Sequence, residues 1–173
     1  MSLLRFLGIG ESEPQNDAAS DSATVRRIAA QLDELPAEAA RFLAAFAYVL
    51  ARVAHADLEI DDAETAEMER SIAALASLSE GEVSLVVQIA KSQARLLGGT
   101  ENYVVTREFR NLSTRAQRGE LLQCLFAVAA ADGTISSVES AELVAIGEEL
   151  GFTRAEANAL RSQYRDKLSE FQS

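Results

Sequence analysis

The chain contains FAYVLARVAHADLEIDDAETAEMERSIAAL (Phe46 to Leu75) and, 75 residues further on, LLQCLFAVAAADGTISSVESAELVAIGEEL (Leu121 to Leu150). The two segments are identical at ten of thirty aligned positions. An internal repeat is a strong guide to architecture, because each copy is expected to adopt the same local structure. The acidic residues that coincide are Asp57 with Asp132, Glu64 with Glu139 and Glu67 with Glu142. The repeat therefore predicts one helix-loop-helix unit used twice, with two acidic loops as candidate functional sites.

The composition favours a single helical domain. The chain has 173 residues, of which 48% are hydrophobic and 6% aromatic, and it contains two prolines. Alanine dominates the apolar residues, and alanine has the highest helix propensity. We therefore expect an all-α bundle of seven to eight helices, built from two repeats related by a pseudo-two-fold axis. Residues 1–23 are interpreted as a short amphipathic segment and flexible linker, and residues 24–173 as the helical domain, with repeat one at about 42–98 and repeat two at about 114–171.

Short motifs mark where the helices begin. A Ser, Thr or Asp followed three residues later by Glu or Gln can satisfy two backbone N–H groups at a helix start, an arrangement called a capping box. Five such pairs stand at predicted helix starts: Asp61 with Glu64, Ser79 with Glu82, Thr114 with Gln117, Ser136 with Glu139, and Thr153 with Glu156. Gly151 is expected to end one helix. The last helix is predicted to begin at Thr153 and to run to about Phe171.

The net charge limits the classes of function. The chain carries a formal charge of −11, so the phosphate backbones of nucleic acids and anionic lipid surfaces repel it. No stretch of eighteen apolar residues occurs, which argues against an integral membrane segment. Glu11 and Glu13 interrupt the apolar start of the chain too early for a secretory signal. The single cysteine, Cys124, has no partner for an internal disulfide, which favours a reducing cytoplasm.

Helical spacing turns four of the acidic residues toward the core. Asp57 continues the apolar stripe of its helix, and Asp132 does the same in the second copy. Glu64 and Glu139 align with apolar residues of the helix that follows each loop. Closely spaced carboxylates are the ligands that a hard divalent cation such as calcium, magnesium or manganese requires. These four residues are therefore the candidate metal ligands.

Two roles for these four carboxylates remain open. In the first, Asp57 and Asp132 accept backbone N–H groups of their own loops, while Glu64 and Glu139 complete capping boxes. In the second, the two loops meet across the pseudo-two-fold axis and share one divalent cation. Burial of several carboxylates is costly without protons, hydrogen bonds or a cation, so one of these partners is required.

Other site motifs are absent or incomplete. An EF-hand needs a bidentate glutamate at its twelfth position, which here falls on Met68 and Leu143. His55 is the single histidine, too few for a zinc or di-iron centre. Cys124 aligns with Val49 and is expected in the core. No nucleophile is placed with a base and no phosphate-binding glycine loop occurs, so we expect no enzyme activity and no organic cofactor.

The segments VLARVAHADLEIDDAE (Val49 to Glu64) and LFAVAAADGTISSVESAEL (Leu125 to Leu143) resemble the repeated signature of the TerB-like tellurite-resistance family. In that signature an alanine-rich helix ends in Ala-Asp, followed by small residues, an Ile or Val, and a glutamate seven residues after the aspartate. The resemblance extends from about Phe42 to Tyr164, and a related domain forms the N-terminal part of a DnaJ-like membrane co-chaperone. The first copy departs from the pattern at Leu58, where the second copy has Gly133.

The resemblance implies an all-helical bundle that binds a divalent metal through Asp57, Glu64, Asp132 and Glu139 and acts with other stress-response proteins near the membrane. We therefore expect a non-enzymatic stress-response domain with protein partners, among them membrane-associated stress proteins. The expected location is the cytoplasm, including the inner face of the membrane. The alternative is a pure protein-interaction module, whose acidic loop residues are only helix caps and a negative docking face.

Overall fold

The computed structural model describes residues 26–28, 30–54, 62–94, 102–131 and 133–172. After helical residues 26–28 and 30–33, the α-helices are α1 (Ala37–Ala54), α2 (Asp62–Leu75), α3 (Glu80–Ala94), α4 (Asn102–Leu112), α5 (Arg115–Ala129), α6 (Ser137–Glu149) and α7 (Arg154–Ser162). Two short 3-10 helices, Arg165–Lys167 and Ser169–Phe171, follow α7. Within these ranges the β-pairing consists of one isolated parallel bridge, so the prediction of an all-α fold is confirmed.

Helix α1 lies at the centre of the bundle. It packs against α3, α4 and α5, and residues 43–51 are all buried. The sequence predicts one apolar stripe on this helix, through Phe46 and Leu50, whereas its central turns are buried around their whole circumference. A helix with neighbours on several sides buries every face rather than one. The neighbouring helices can approach closely because many of these residues have small side chains, which are Ala44, Ala45, Ala47 and Ala51.

An aromatic cluster joins α4 to α1. The ring centroid of Phe109 lies 5.2 Å from that of Phe42 and 5.9 Å from that of Phe46. Phe46 and Phe109 are fully buried, and the rings meet in the tilted and edge-on arrangements that aromatic pairs prefer. Helix α2 packs on α3 and α5 and buries Met68 and Ile72. The aromatic cluster and the contacts of α2 belong to one continuous apolar core among the described residues.

Four of the five predicted capping boxes are confirmed. The capping residue's N–H donates to the Glu or Gln side chain at 2.7–2.8 Å, and the N–H of that Glu or Gln donates to the capping hydroxyl at 3.1–3.3 Å. The confirmed pairs are Ser79 with Glu82, Thr114 with Gln117, Ser136 with Glu139, and Thr153 with Glu156. The fifth pair, Asp61 with Glu64, lies outside the described residues. Each confirmed box satisfies two N–H groups that an open helix end leaves unpaired.

Gly151 ends α6, as predicted. Its φ is 93°, in the left-handed region. Its N–H donates to the carbonyl of Glu148 at 3.0 Å, and the N–H of Phe152 donates to the carbonyl of Gly147 at 3.0 Å. This pair of bonds is the Schellman motif, which a glycine accommodates because it has no Cβ.

Helix α7 is shorter than predicted. It ends at Ser162 rather than near Phe171. Leu168 lies between the two 3-10 helices with extended backbone angles and pairs with Ile135 in the parallel bridge. The N–H of Ile135 donates to the carbonyl of Lys167 at 2.6 Å, and the N–H of Ser169 donates to the carbonyl of Ile135 at 2.9 Å. Both bridge side chains are buried, so this distant contact outweighs continuation of the helix.

The relation between the two repeats stays a prediction. Helices α1 and α2 flank the first loop, residues 55–61, which lies outside the described residues. Helices α5 and α6 flank the second loop. The pseudo-two-fold axis and the predicted domain boundaries are therefore not tested, and the predicted amphipathic segment and linker at 1–23 also lie outside the described residues.

Candidate functional site

The predicted cation site is described at one of its four carboxylates. Asp57 and Asp132 lie outside the described residues, and of Glu64 only the backbone, in the first turn of α2, is described. Glu139 is described in full, in the first turn of α6. The assembly of the four residues into one site therefore stays a prediction, and the surroundings of Glu139 are the part that can be analysed.

The backbone of the second loop is set by a glycine and a serine. Gly133 has a φ of 97°, in the left-handed region that residues with a Cβ disfavour. Its N–H donates to the carbonyl of Ala130 at 2.9 Å. Three residues later Ser136 caps α6. The second copy thus has glycine where the backbone needs it, at the position that aligns with Leu58 in the first copy.

Glu139 is engaged as a helix cap. Its Oε2 accepts the backbone N–H of Ser136 at 2.8 Å, and its own N–H donates to Ser136 Oγ at 3.2 Å. The side chain is half-buried. An ionised carboxylate has about four lone-pair sites, so one cap bond leaves capacity for a further partner. A carboxylate oxygen at this place fits the donor set of a hard cation, and it also serves as a cap without one.

The C-terminal segment, residues 165–172, packs against the second loop. Gln172 Nε2 donates to the carbonyl of Gly133 at 2.9 Å, and Thr134 Oγ1 lies 2.9 Å from Gln172 Oε1. The parallel bridge to Leu168 adds two backbone bonds on the same loop. Sequence reasoning missed this contact, because the partners are 38 and 39 residues apart and no local pattern joins them. The segment holds the loop that precedes Glu139.

Arg52 is the centre of an ion-pair network between the halves of the chain. It donates to Glu149 at 2.7 and 3.3 Å and to Glu142 at 2.7 Å, and its Nη1 lies 3.3 Å from Thr106 Oγ1. The side chains of Arg52 and Glu149 are 10% and 17% exposed. Burial alone lowers the pKa of Arg52, but hydrogen bonding and charge from Glu149, and then Glu142, outweigh it and raise the pKa.

Glu142 and Glu67 align in the repeat but make different contacts. Glu142 reaches across to Arg52 in α1. Its counterpart Glu67 pairs with Arg70 of its own helix at 2.6 Å, on the surface. Sequence reasoning missed Arg52, although one signal was present. It is the single charged residue of the stretch 42–54, and a charge among apolar residues needs a partner. The two acidic positions therefore have different roles in the two copies.

A protein-family model described as Tellurite resistance protein TerB matches residues 42–162. The chain belongs to the TerB family. The match takes in most of the chain, from the first turns of α1 to the end of α7. Searches of curated proteins and of solved structures found no match. The C-terminal segment that contacts the second loop follows the matched range of this TerB domain.

Cys124 of the TerB domain is a core residue, as predicted. It is fully buried on α5. Burial, and then the charge of Glu120, raises the pKa of its thiol to about 12. The reactive thiolate is therefore scarce at neutral pH. The other residue weighed as a ligand, His55, lies outside the described residues.

The described part of this TerB domain contains no group of three His, Cys, Asp or Glu side chains able to hold a metal ion. Asp57, Asp132 and the side chain of Glu64 lie outside that part. In the same part of the chain, no helix is both long enough and apolar enough to cross a membrane.

Proposed function

We propose that this TerB domain is a non-enzymatic stress-response module that binds a hard divalent cation at its paired acidic loops and acts through protein contacts. The proposed ligands are Asp57, Glu64, Asp132 and Glu139, and the candidate cations are calcium, magnesium and manganese. The proposed partners are stress-response proteins, including membrane-associated ones, in the cytoplasm or at the inner face of the membrane. No organic cofactor is part of the proposal.

The observation that supports a cation site is the placement of Glu139. Its carboxylate is half-buried beside a loop that two separate sets of contacts hold in place, the left-handed turn at Gly133 and the bonds from the C-terminal segment. Asp132 directly precedes that glycine in the chain. A pre-formed loop lowers the entropy cost of ordering oxygen ligands around an ion. In the first copy, Asp57 and Glu64 occupy the positions that align with Asp132 and Glu139.

The capping box at Ser136 supports the second candidate. In that reading Glu139 is a cap only, and the acidic loops form a negative face for a protein partner. A cap of this kind contributes about 1 kcal/mol without any ion. The two candidates make different predictions for a variant that keeps the cap and removes the charge.

Glu139→Gln is that variant. Gln117 already completes the equivalent box at the start of α5, which indicates that a glutamine in this position retains the two cap bonds. Glu82→Gln is the matched control, because Glu82 completes a box of the same kind at the start of α3. Asp57→Asn and Asp132→Asn test the two ligands that the sequence assigns to the loops.

The experiment is calorimetric titration of metal-stripped protein with Ca²⁺, Mg²⁺ and Mn²⁺, together with melting curves. We expect saturable binding in the unmodified protein and in Glu82→Gln, and its loss in Glu139→Gln. An ion at 100 times its Kd raises the free energy of unfolding by about 2.7 kcal/mol. One ion per chain indicates a site shared by both loops, and two ions indicate independent loops. No binding heat and no rise in Tm at millimolar cation would leave the capping candidate.

A further inference from the structure

Three arginine side chains converge on the end of α6. Arg110 Nε and Arg118 Nη1 each lie 3.0 Å from the position that a Cβ on Gly151 would occupy, so these two groups are within about 6 Å of each other. Arg115 Nη1 is 3.5 Å from the carbonyl oxygen of Gly151. We call Arg110, Arg115 and Arg118 the arginine cluster. Its members come from the end of α4 and the first turn of α5.

Two members of the arginine cluster are held by the helix end they surround. Arg118 donates to the carbonyl of Leu150 at 2.8 Å. Arg115 donates to Glu156 at 2.5 Å and stacks its guanidinium over the ring of Phe152, 4.8 Å from the centroid. Cationic side chains at the C-terminal end of a helix are favoured by its dipole. These contacts hold Arg115 and Arg118 in one arrangement.

Arg110 differs from the other two. It is exposed on α4, and no carboxylate among the described residues forms an ion pair with it. Arg107, one turn earlier on the same helix, is also exposed. Both can therefore reach a partner without breaking an ion pair within the described part of the chain.

The charge around Gly151 is not balanced. Among the described residues, one carboxylate pairs with these three guanidinium groups, that of Glu156. The C-terminal end of α6 acts as roughly half a negative charge beside them. Nearby, Arg154 and Glu148 form an ion pair at 3.4 Å, and their opposite charges cancel. These described groups together carry more than one unit of positive charge, on a chain whose net charge is −11.

We infer that the arginine cluster is a docking site for a short acidic segment of a partner protein. The inference rests on the protein-contact part of the proposed function and names the chemistry of the partner. Planar guanidinium forks bind carboxylates through two parallel N–H···O bonds, which gives direction as well as attraction. The strongly negative chain disfavours a long polyanion such as nucleic acid, whereas a segment with a few carboxylates meets mainly the local positive field.

The arginine cluster is separate from the proposed cation site. Glu139 lies in the first turn of α6 and Gly151 lies just beyond its last turn. A helix of 13 residues is about 20 Å long. That distance exceeds the Debye length of about 10 Å at 0.1 M salt. The two sites can therefore be tested independently.

The experiment is a fluorescence-polarisation titration of the full chain against a labelled peptide of six glutamates, at 0.1 M salt and with a metal chelator present. We expect saturable binding with a Kd below about 1 mM. Arg110→Gln should weaken it at least fivefold, because that arginine is free of ion pairs within the described residues. A peptide of six glutamines should not bind, and higher salt should weaken the glutamate peptide.

The control variant is Arg70→Gln, which removes the same charge from a surface ion pair on α2. It should leave peptide binding within twofold of the unmodified protein. If Arg110→Gln does not fold, as judged by circular dichroism, Arg115→Gln takes its place, because Arg115 is also a member of the arginine cluster. Glu139→Gln should retain peptide binding, so failure of the cation site and failure of the docking site are distinguishable.

Three outcomes overturn the inference. The first is the absence of saturable binding of the glutamate peptide to the unmodified chain. The second is an equal loss of affinity in the Arg110 and Arg70 variants, which would indicate a general charge effect. The third is tighter binding of a six-nucleotide single strand than of the peptide, lost in Arg110→Gln, which would assign the cluster to a nucleic acid.

Discussion

Arg52 Nη1 lies 2.7 Å from Glu149 Oε2, and this contact joins the last turn of α1 to the last residue of α6. The two residues are 97 positions apart. A glutamate at the C-terminal end of a helix is disfavoured by the helix dipole, whereas an arginine there is favoured. The pair therefore offsets the unfavourable position of Glu149 and ties together helices that come from the two copies of the repeat.

Arg52→Met is expected to lower the free energy of unfolding by about 1–3 kcal/mol, because it leaves the half-buried Glu149 carboxylate without its cationic partner. Methionine keeps an unbranched apolar stem of similar reach, so lost packing contributes little. Urea unfolding at pH 7, followed by circular dichroism, measures the loss.

The matched control is Arg70→Met, which removes a surface ion pair to Glu67. Exposed pairs contribute little, so this change should cost less than about 0.5 kcal/mol. The double variant Arg52→Met with Glu149→Gln should be more stable than the sum of the single changes predicts, because the unpaired carboxylate is gone. Equal losses for the Arg52 and Arg70 variants would contradict a role for the network.

A glycine series separates backbone strain from steric contact. Gly133→Ala should cost about 1 kcal/mol, because its φ of 97° is unfavourable for a Cβ. Apart from its chain neighbours, no described residue has an atom within 4 Å of the new methyl group. Gly151→Ala should cost more, since its Cβ would also lie 3.0 Å from two guanidinium nitrogens. Gly81→Ala, in the first turn of α3, should raise stability by about 0.5 kcal/mol.

Thermal melts of the three alanine variants at one pH and salt concentration rank these effects. The expected order of stability is Gly81→Ala, then Gly133→Ala, then Gly151→Ala. If Gly133→Ala is as stable as Gly81→Ala, the second loop does not depend on the left-handed backbone at that residue. The alignment of Gly133 with Leu58 would then be compatible with the same conformation in both loops.

The parts of the fold that could be predicted from the sequence are the local ones. The capping boxes at Ser79, Thr114, Ser136 and Thr153 join residues three apart, so both partners appear in one short segment. Helical character likewise follows from alanine content and apolar spacing within a few turns. The recognisable Ala-Asp signature was enough to predict the family that the match over residues 42–162 shows.

The parts that could not be predicted depend on contacts between distant residues. Beyond α7 the chain pairs Leu168 with Ile135, 33 positions earlier, instead of continuing the helix, and helical spacing says nothing about that pairing. The burial of α1 on all sides depends on how many helices surround it. Arg52 stands out in the sequence as the single charged residue of the stretch 42–54, but only the fold identifies Glu149 as its partner.

Leu168→Ala is expected to lower the free energy of unfolding by about 2–4 kcal/mol, because it leaves a cavity beside the buried Ile135. The amide of Ile135, which donates to the carbonyl of Lys167 at 2.6 Å, should also exchange with solvent faster. Hydrogen exchange and urea unfolding measure these two effects. Phe171→Ala, at a half-exposed side chain in the same segment, is the control and should cost clearly less.

Glu156 provides a test of pH dependence. The backbone N–H of Thr153, and then Arg115, lower the pKa of this carboxyl below its ordinary 4.5. A lowered pKa in the folded state means that the group contributes stability above pH 4.5 and loses that contribution as pH falls through the folded pKa. Glu156→Gln should therefore be less stable than the unmodified protein at pH 7. The difference should shrink below pH 4.5 and vanish once Glu156 is protonated.

Arg115→Gln separates the two causes of this pKa shift. In the unmodified protein the N–H of Thr153 donates to the Glu156 carboxylate at 2.7 Å. The Arg115 variant should retain this bond. An NMR titration of the Glu156 carboxyl should therefore show a pKa that rises but stays below 4.5. A full return to 4.5 would make the arginine, rather than the helix cap, the main cause. Glu156 would then contribute to the charge balance of the arginine cluster more than to the start of α7.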